Sequence, residues 1–66
     1  MRPLNLRSSS NVGGATYDEE TRVLTVTFRS GRTYEYLVGS DVVDGLEAAP
    51  SPGNFVRARL AGGVEV

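Results

Sequence analysis

Along residues 22–28, Leu24, Val26 and Phe28 alternate with Val23, Thr25 and Thr27. A period of two marks a strand with one buried face. After Arg29-Ser30-Gly31 the pattern resumes over residues 32–38 with Tyr34 and Tyr36, so the two runs form a hairpin. Its loop length decides which face the tyrosines occupy, because slipping the register by one residue moves every side chain to the opposite face. A two-residue loop, Ser30-Gly31, would set Val26 against Glu35 and bring a carboxylate among apolar side chains. A three-residue loop, with Gly31 in the left-handed conformation of a G1 bulge, sets Phe28 against Arg32, Val26 against Tyr34 and Leu24 against Tyr36. The second register is expected. It gathers Leu24, Val26, Phe28, Tyr34, Tyr36 and Val38 on one face and leaves Thr25, Thr27, Thr33 and Glu35 on the other.

The rest of the chain falls around this hairpin. Residues 11–17 read as a weak strand in which Gly13 and Gly14 mark a bulge or a close backbone approach, and Asp18-Glu19-Glu20-Thr21 as a polar turn. Gly39 ends the third strand. Ser40 is the expected N-cap of a helix with Asp41 in its first turn, at the positive end of the dipole. Val42, Val43, Leu46 and Ala49 recur at helical spacing to cover the sheet, with Asp41, Asp44 and Glu47 turned to water. Pro50 stops that helix. Ser51 and Pro52 start a second one, whose buried side is Phe55, Val56 and Leu60. After Gly62-Gly63, Val64-Glu65-Val66 is a tail able to pair as a short edge strand. The expected fold is α+β: a three-stranded antiparallel meander followed by two short helices packed on one face. Residues 1–8 read as an N-terminal arm and residues 9–66 as a single domain.

A 66-residue chain buries only about 60% of its unfolded surface, so its core is thin. With no cysteine, neither a disulfide nor a thiolate metal site supplements that core, and homodimerisation is left open. Hydrophobic residues at 39% and charged residues at 23% are globular proportions, not those of a disordered chain. No run approaches the roughly 18 apolar residues of a membrane span, and no apolar signal core follows Met1-Arg2-Pro3. A cytoplasmic protein with no membrane partner is expected. All seven cations are arginine, which fits a G+C-rich bacterium or its phage. A net charge of −1 gives no global field for nucleic acid, so any anion site must be local.

Enzyme readings fail on inventory. With no histidine, cysteine or lysine, the usual general bases and most activated nucleophiles are missing, and nothing near Ser8, Ser9 or Ser10 in sequence supplies a base. Asp18-Glu19-Glu20 lacks the alternating oxygen ligands of a calcium loop and reads as a solvated turn. With no glycine-rich phosphate loop, no nucleotide cofactor follows, and the expectation is no cofactor and no metal.

Read together, Ser9-Ser10-Asn11-Val12, Tyr17-Asp18, Leu24-x-Val26-x-Phe28-x-x-Gly31, Tyr34-x-Tyr36 and Ser51-x-Gly53-x-Phe55 resemble the KTSC domain. This is a family of small bacterial and phage domains, also appended to the C-terminus of some lysyl-tRNA synthetases. The likeness departs from the family pattern at Val56 and Arg57, where a second aromatic and an asparagine are usual, and near the end, where an aromatic is missing. It implies a strand meander with helices and no established activity, with RNA binding as a suggestion.

The expected function is a non-catalytic binding module associated with RNA. Its candidate contacts are Arg22, Arg29 and Arg32, which bind phosphate, and Tyr34 and Tyr36. The two tyrosines are either core residues or stacking platforms for unpaired bases, and the register favours the core. Arg57 and Arg59 form a second basic group. Ser9, Ser10 and Asn11 are a polar cluster suited to tying down the start of the first strand through backbone hydrogen bonds. The alternative is a module that binds a host or cellular protein, for instance a phage product, through the acidic helix face of Asp41, Asp44 and Glu47.

Overall fold

A computed structural model describes residues 1–6, 12–60 and 62–66. Its strands are β1 (Arg2–Pro3), β2 (Val12–Asp18), β3 (Val23–Phe28), β4 (Thr33–Leu37) and β5 (Val64–Glu65). The helices α1 (Ser40–Ala48) and α2 (Pro52–Arg59) lie between β4 and β5 in the chain. The sheet is antiparallel throughout, in the order β1-β2-β3-β4-β5. The class is α+β, but the described sheet has five strands, not three. Both additions are two-residue edge strands. β1 comes from the residues read as an arm, pairing Arg2 with Tyr17 and Pro3 with Thr16, and the Leu4 amide extends the contact to the Ala15 carbonyl at 2.9 Å.

The central hairpin has the three-residue loop. Val26 faces Tyr34 and Leu24 faces Tyr36, the Gly31 amide bonds the Phe28 carbonyl at 2.9 Å, and Gly31 takes φ +96°, where a side chain would be strained. In β2 the register shifts between Val12 and Gly14, so the glycine pair does mark a bulge. Gly39, not Ser40, caps α1. Its carbonyl accepts from the Val42 and Val43 amides at 3.1 and 3.4 Å, and Ser40 becomes the first helical residue without a side-chain capping bond. Ser51 occupies the N-cap position of α2, its carbonyl accepting from the Phe55 amide at 3.0 Å without a side-chain capping bond, and Pro52 starts the helix. The two helices are separate, as two prolines flanking a cap require.

One buried cluster joins Val12, Ala15, Tyr17, Leu24, Val26 and Tyr36 of the sheet to Val43 and Leu46 of α1 and Val56 of α2. Leu24, Val26, Val43 and Leu46 are completely buried. Phe28, Tyr34, Val38, Phe55 and Leu60 pack at its margin, with Leu4 and Leu6 from the N-terminal residues. The Tyr17 hydroxyl donates to the Val38 carbonyl at 2.9 Å, tying β2 to the residue that follows β4. No helix is long and apolar enough to cross a membrane.

At the β2–β3 turn, Asp18 Oδ1 accepts from the Glu20 and Thr21 amides at 3.0 and 3.4 Å. Arg22 then closes the loop at φ 62°, its amide on the Asp18 carbonyl at 2.7 Å. An L-residue in the left-handed region costs roughly 1–2 kcal/mol, part of which glycine returns through its larger unfolded entropy. Arg22→Gly is therefore expected to raise the melting temperature by a few degrees. A lower melting temperature would show that the exposed arginine contributes more than its backbone strain costs.

Candidate functional site

Where the tip of the β3–β4 hairpin approaches α2, the surface opens into a groove of about 720 Å³. Phe28, Arg29, Ser30, Arg32, Tyr34 and Tyr36 line it from the hairpin. Gly53, Val56, Arg57 and Leu60 line it from α2 and the residue after it. Strand alternation puts Phe28, Tyr34 and Tyr36 on one face of the hairpin, and the Pro50-Ser51-Pro52 break separates α2, which supplies the groove's other lining residues, from α1. Phe28 and Tyr34 meet edge to face, ring centres 5.7 Å apart and planes at 80°. None of these lining residues is acidic, and three are arginines.

The two tyrosines have different environments. Tyr36 is 9% exposed and belongs to the core cluster, so only its rim reaches the groove. Burial raises its phenol above the ordinary value, and the neighbouring Tyr34 adds to the shift. Tyr34 is half-buried, and its ring packs at the margin of the core. The Tyr34 hydroxyl and then the Glu65 carboxylate hold the Arg32 guanidinium above its usual range. As a stacking surface Tyr34 is available and Tyr36 is not.

Of the residues expected to act together, Arg29, Arg32, Tyr34 and Tyr36 do meet. Arg22 does not. It sits at the far end of β3, roughly 20 Å from the tip at about 3.3 Å per residue, beside a different depression shared with Arg2, Glu19, Asp41 and Asp44. Arg57 comes into the groove from α2, and Arg59 lies outside its lining. No local pattern distinguishes Arg57 from Arg59, since only the docking of α2 decides between them. Ser9, Ser10 and Asn11 lie outside the described residues.

The acidic helix face also differs from expectation. Asp41 and Asp44 are exposed, but Glu47 is not turned to open solvent. Its Oε1 accepts from Arg2 Nη2 at 3.1 Å and its Oε2 from the Asn5 amide at 3.2 Å, while Arg2 also reaches Glu19 at 3.6 Å. Glu47 thus anchors the N-terminal residues to α1. Among the described residues, no group of three or more acidic side chains is placed to hold a metal ion.

The family model of the KTSC domain matches residues 8–62. The chain belongs to the KTSC domain family. A crystal structure of a KTSC domain protein from Yersinia pestis is similar to it, with a TM-score of 0.81 and 30% sequence identity over 92% of this chain and 89% of that one. Among curated proteins none matches the chain. In this KTSC domain the matched stretch contains all ten residues that line the groove, from Phe28 to Leu60.

Proposed function

We propose that this domain is a non-catalytic cytoplasmic binding module that takes short single-stranded RNA in the groove between the hairpin tip and α2. The reading takes both helices as packed on the tyrosine-bearing face, with α2 forming one wall. The observation that carries it is the meeting of Arg29, Arg32 and Arg57 with the Phe28–Tyr34 pair in a groove lined by no carboxylate, in a protein whose net charge is −1. Unpaired nucleotides present an anionic backbone and a flat apolar base together, and groups that bind single strands combine cations with aromatic faces. The groove volume of about 720 Å³ falls within the size range of ligand sites.

Titration of isotope-labelled protein with mixed-sequence RNA in low salt tests the reading. Amides of residues 28–36 and 53–60 are expected to shift, and those near Arg22 to stay. With up to three phosphates neutralised, log K should fall with log salt at a slope of about −2, from a single-strand coefficient near −0.7 per phosphate. Amides that remain unmoved at millimolar RNA would remove the nucleic-acid reading.

A further inference from the structure

The groove has a neighbour that its lining residues do not include. β5 pairs with β4 at its edge, Glu65 opposite Tyr34 and Val64 opposite Glu35. Residues directly opposite on antiparallel strands project to the same face, so Glu65 shares the groove side with Tyr34 while Val64 points away. There the Glu65 carboxylate acts electrostatically on Arg32. Little holds β5 in place. Val64, Glu65 and Val66 are all exposed, and beyond the two paired residues the Val66 amide donates to the Thr33 carbonyl at 2.8 Å. At Gly63 the backbone lies so close to the Tyr36 ring that an added Cβ would run into it. The segment thus combines a carboxylate beside one arginine of the groove with an attachment of few bonds and almost no buried apolar surface.

We propose that β5 is a displaceable strap whose Glu65 carboxylate competes with the phosphates of the ligand for Arg32. The inference rests on the groove being an anion site and adds a selectivity to it. A ligand that reaches Arg32 meets the field of a carboxylate on the same side of the sheet. One negative charge brings little advantage over Glu65, whereas two or more phosphates spread over Arg29, Arg32 and Arg57 bring several. The strap therefore favours polyanions such as an oligonucleotide and disfavours single carboxylates or mononucleotides.

The test compares the unaltered protein with Glu65→Gln and Gly63→Ala, using inorganic pyrophosphate and a uridine tetranucleotide as probes in low salt. Affinities are measured together with the Val66 amide and Arg32 side-chain resonances. Glu65→Gln removes the charge at an exposed position and should bind both probes about two- to fivefold more tightly, the range for an exposed ion pair. Gly63→Ala should detach β5, seen at Val66, and show a similar gain. A melting curve separates that detachment from general unfolding, and Glu65→Gln carries the test if Gly63→Ala folds poorly. In the unaltered protein, Val66 should move in step with Arg32 as either probe is added.

Equal affinity across the three proteins, or a Val66 amide that stays in place while Arg32 saturates, overturns the strap and leaves the groove standing. Pyrophosphate that displaces β5 while the tetranucleotide fails to bind supports the strap and removes the RNA reading. If neither probe binds any of the proteins, both fall.

Discussion

Replacing Tyr36 by alanine is expected to lower the melting temperature by more than about 10 °C. The ring is 9% exposed, faces completely buried Leu24 across the hairpin, and is closed over by Gly63. Truncating a buried aromatic to alanine costs about 3–5 kcal/mol. A 66-residue domain has a total stability of only about 3–10 kcal/mol at typical values per residue, so the loss is comparable with the whole. Thermal unfolding followed by circular dichroism checks this, and an unchanged melting temperature would place Tyr36 outside the core.

Tyr36→Phe keeps the ring and isolates the hydroxyl. Burial raises the folded phenol's pKa above its ordinary value of 10.0. Stability from this group is therefore complete below about 10 and lost as pH rises through the raised value. The phenylalanine variant should lack that part of the alkaline loss.

The largest functional effect should come from replacing Arg29, Arg32 and Arg57 together by alanine. Electrostatic binding to single strands gains about 0.7 in log K per neutralised phosphate for each tenfold drop in salt, so three contacts at 20 mM salt supply about 3.5 log units, a few thousandfold, over 1 M salt. The triple variant should lose about that factor at 20 mM and converge with the unaltered protein at 1 M. Arg22 and Arg59, replaced together as a control, remove two charges from outside the groove and should change affinity only slightly. Equal losses in the two variants would mean that the protein attracts RNA by overall charge, and the groove would no longer be the site.

The central hairpin was legible because Glu35 sits between two tyrosines, so a wrong register would bury a carboxylate, and Gly31 supplied the residue that the correct loop needs. The break between helices was legible for a similarly local reason, as Pro50 and Pro52 each remove a backbone donor. β1 was not legible. Two residues have no periodicity, and Arg2–Pro3 becomes a strand only because β2 presents an open edge and Glu47 holds Arg2. The helix cap moved from Ser40 to Gly39 because the Gly39 carbonyl takes the first helical bonds, leaving the serine hydroxyl without that task.

Half of the site was readable for the same reason as the hairpin, since Arg29, Arg32, Tyr34 and Tyr36 come together through strand alternation alone. The other half depends on where α2 docks. Gly45 has part in this, because a Cβ there would stand 3.1 Å from the Phe55 ring, tighter than ordinary carbon contacts. The two helices approach closely there, and nothing in the local sequence announces that Arg57 joins the hairpin residues in lining the groove.

The strand order β1-β2-β3-β4-β5 has a kinetic meaning. β2, β3 and β4 each pair with the next strand in sequence across short turns, so their assembly needs only small loops to close and little chain entropy is lost before contacts form. β5 is different, because both helices intervene before it reaches β4. Its pairing is the long-range one of the sheet, and closing that larger loop costs more chain entropy than the turns between β2, β3 and β4. None of the completely buried side chains Leu24, Val26, Val43 and Leu46 belongs to β5, so the proposed strap would open without uncovering them.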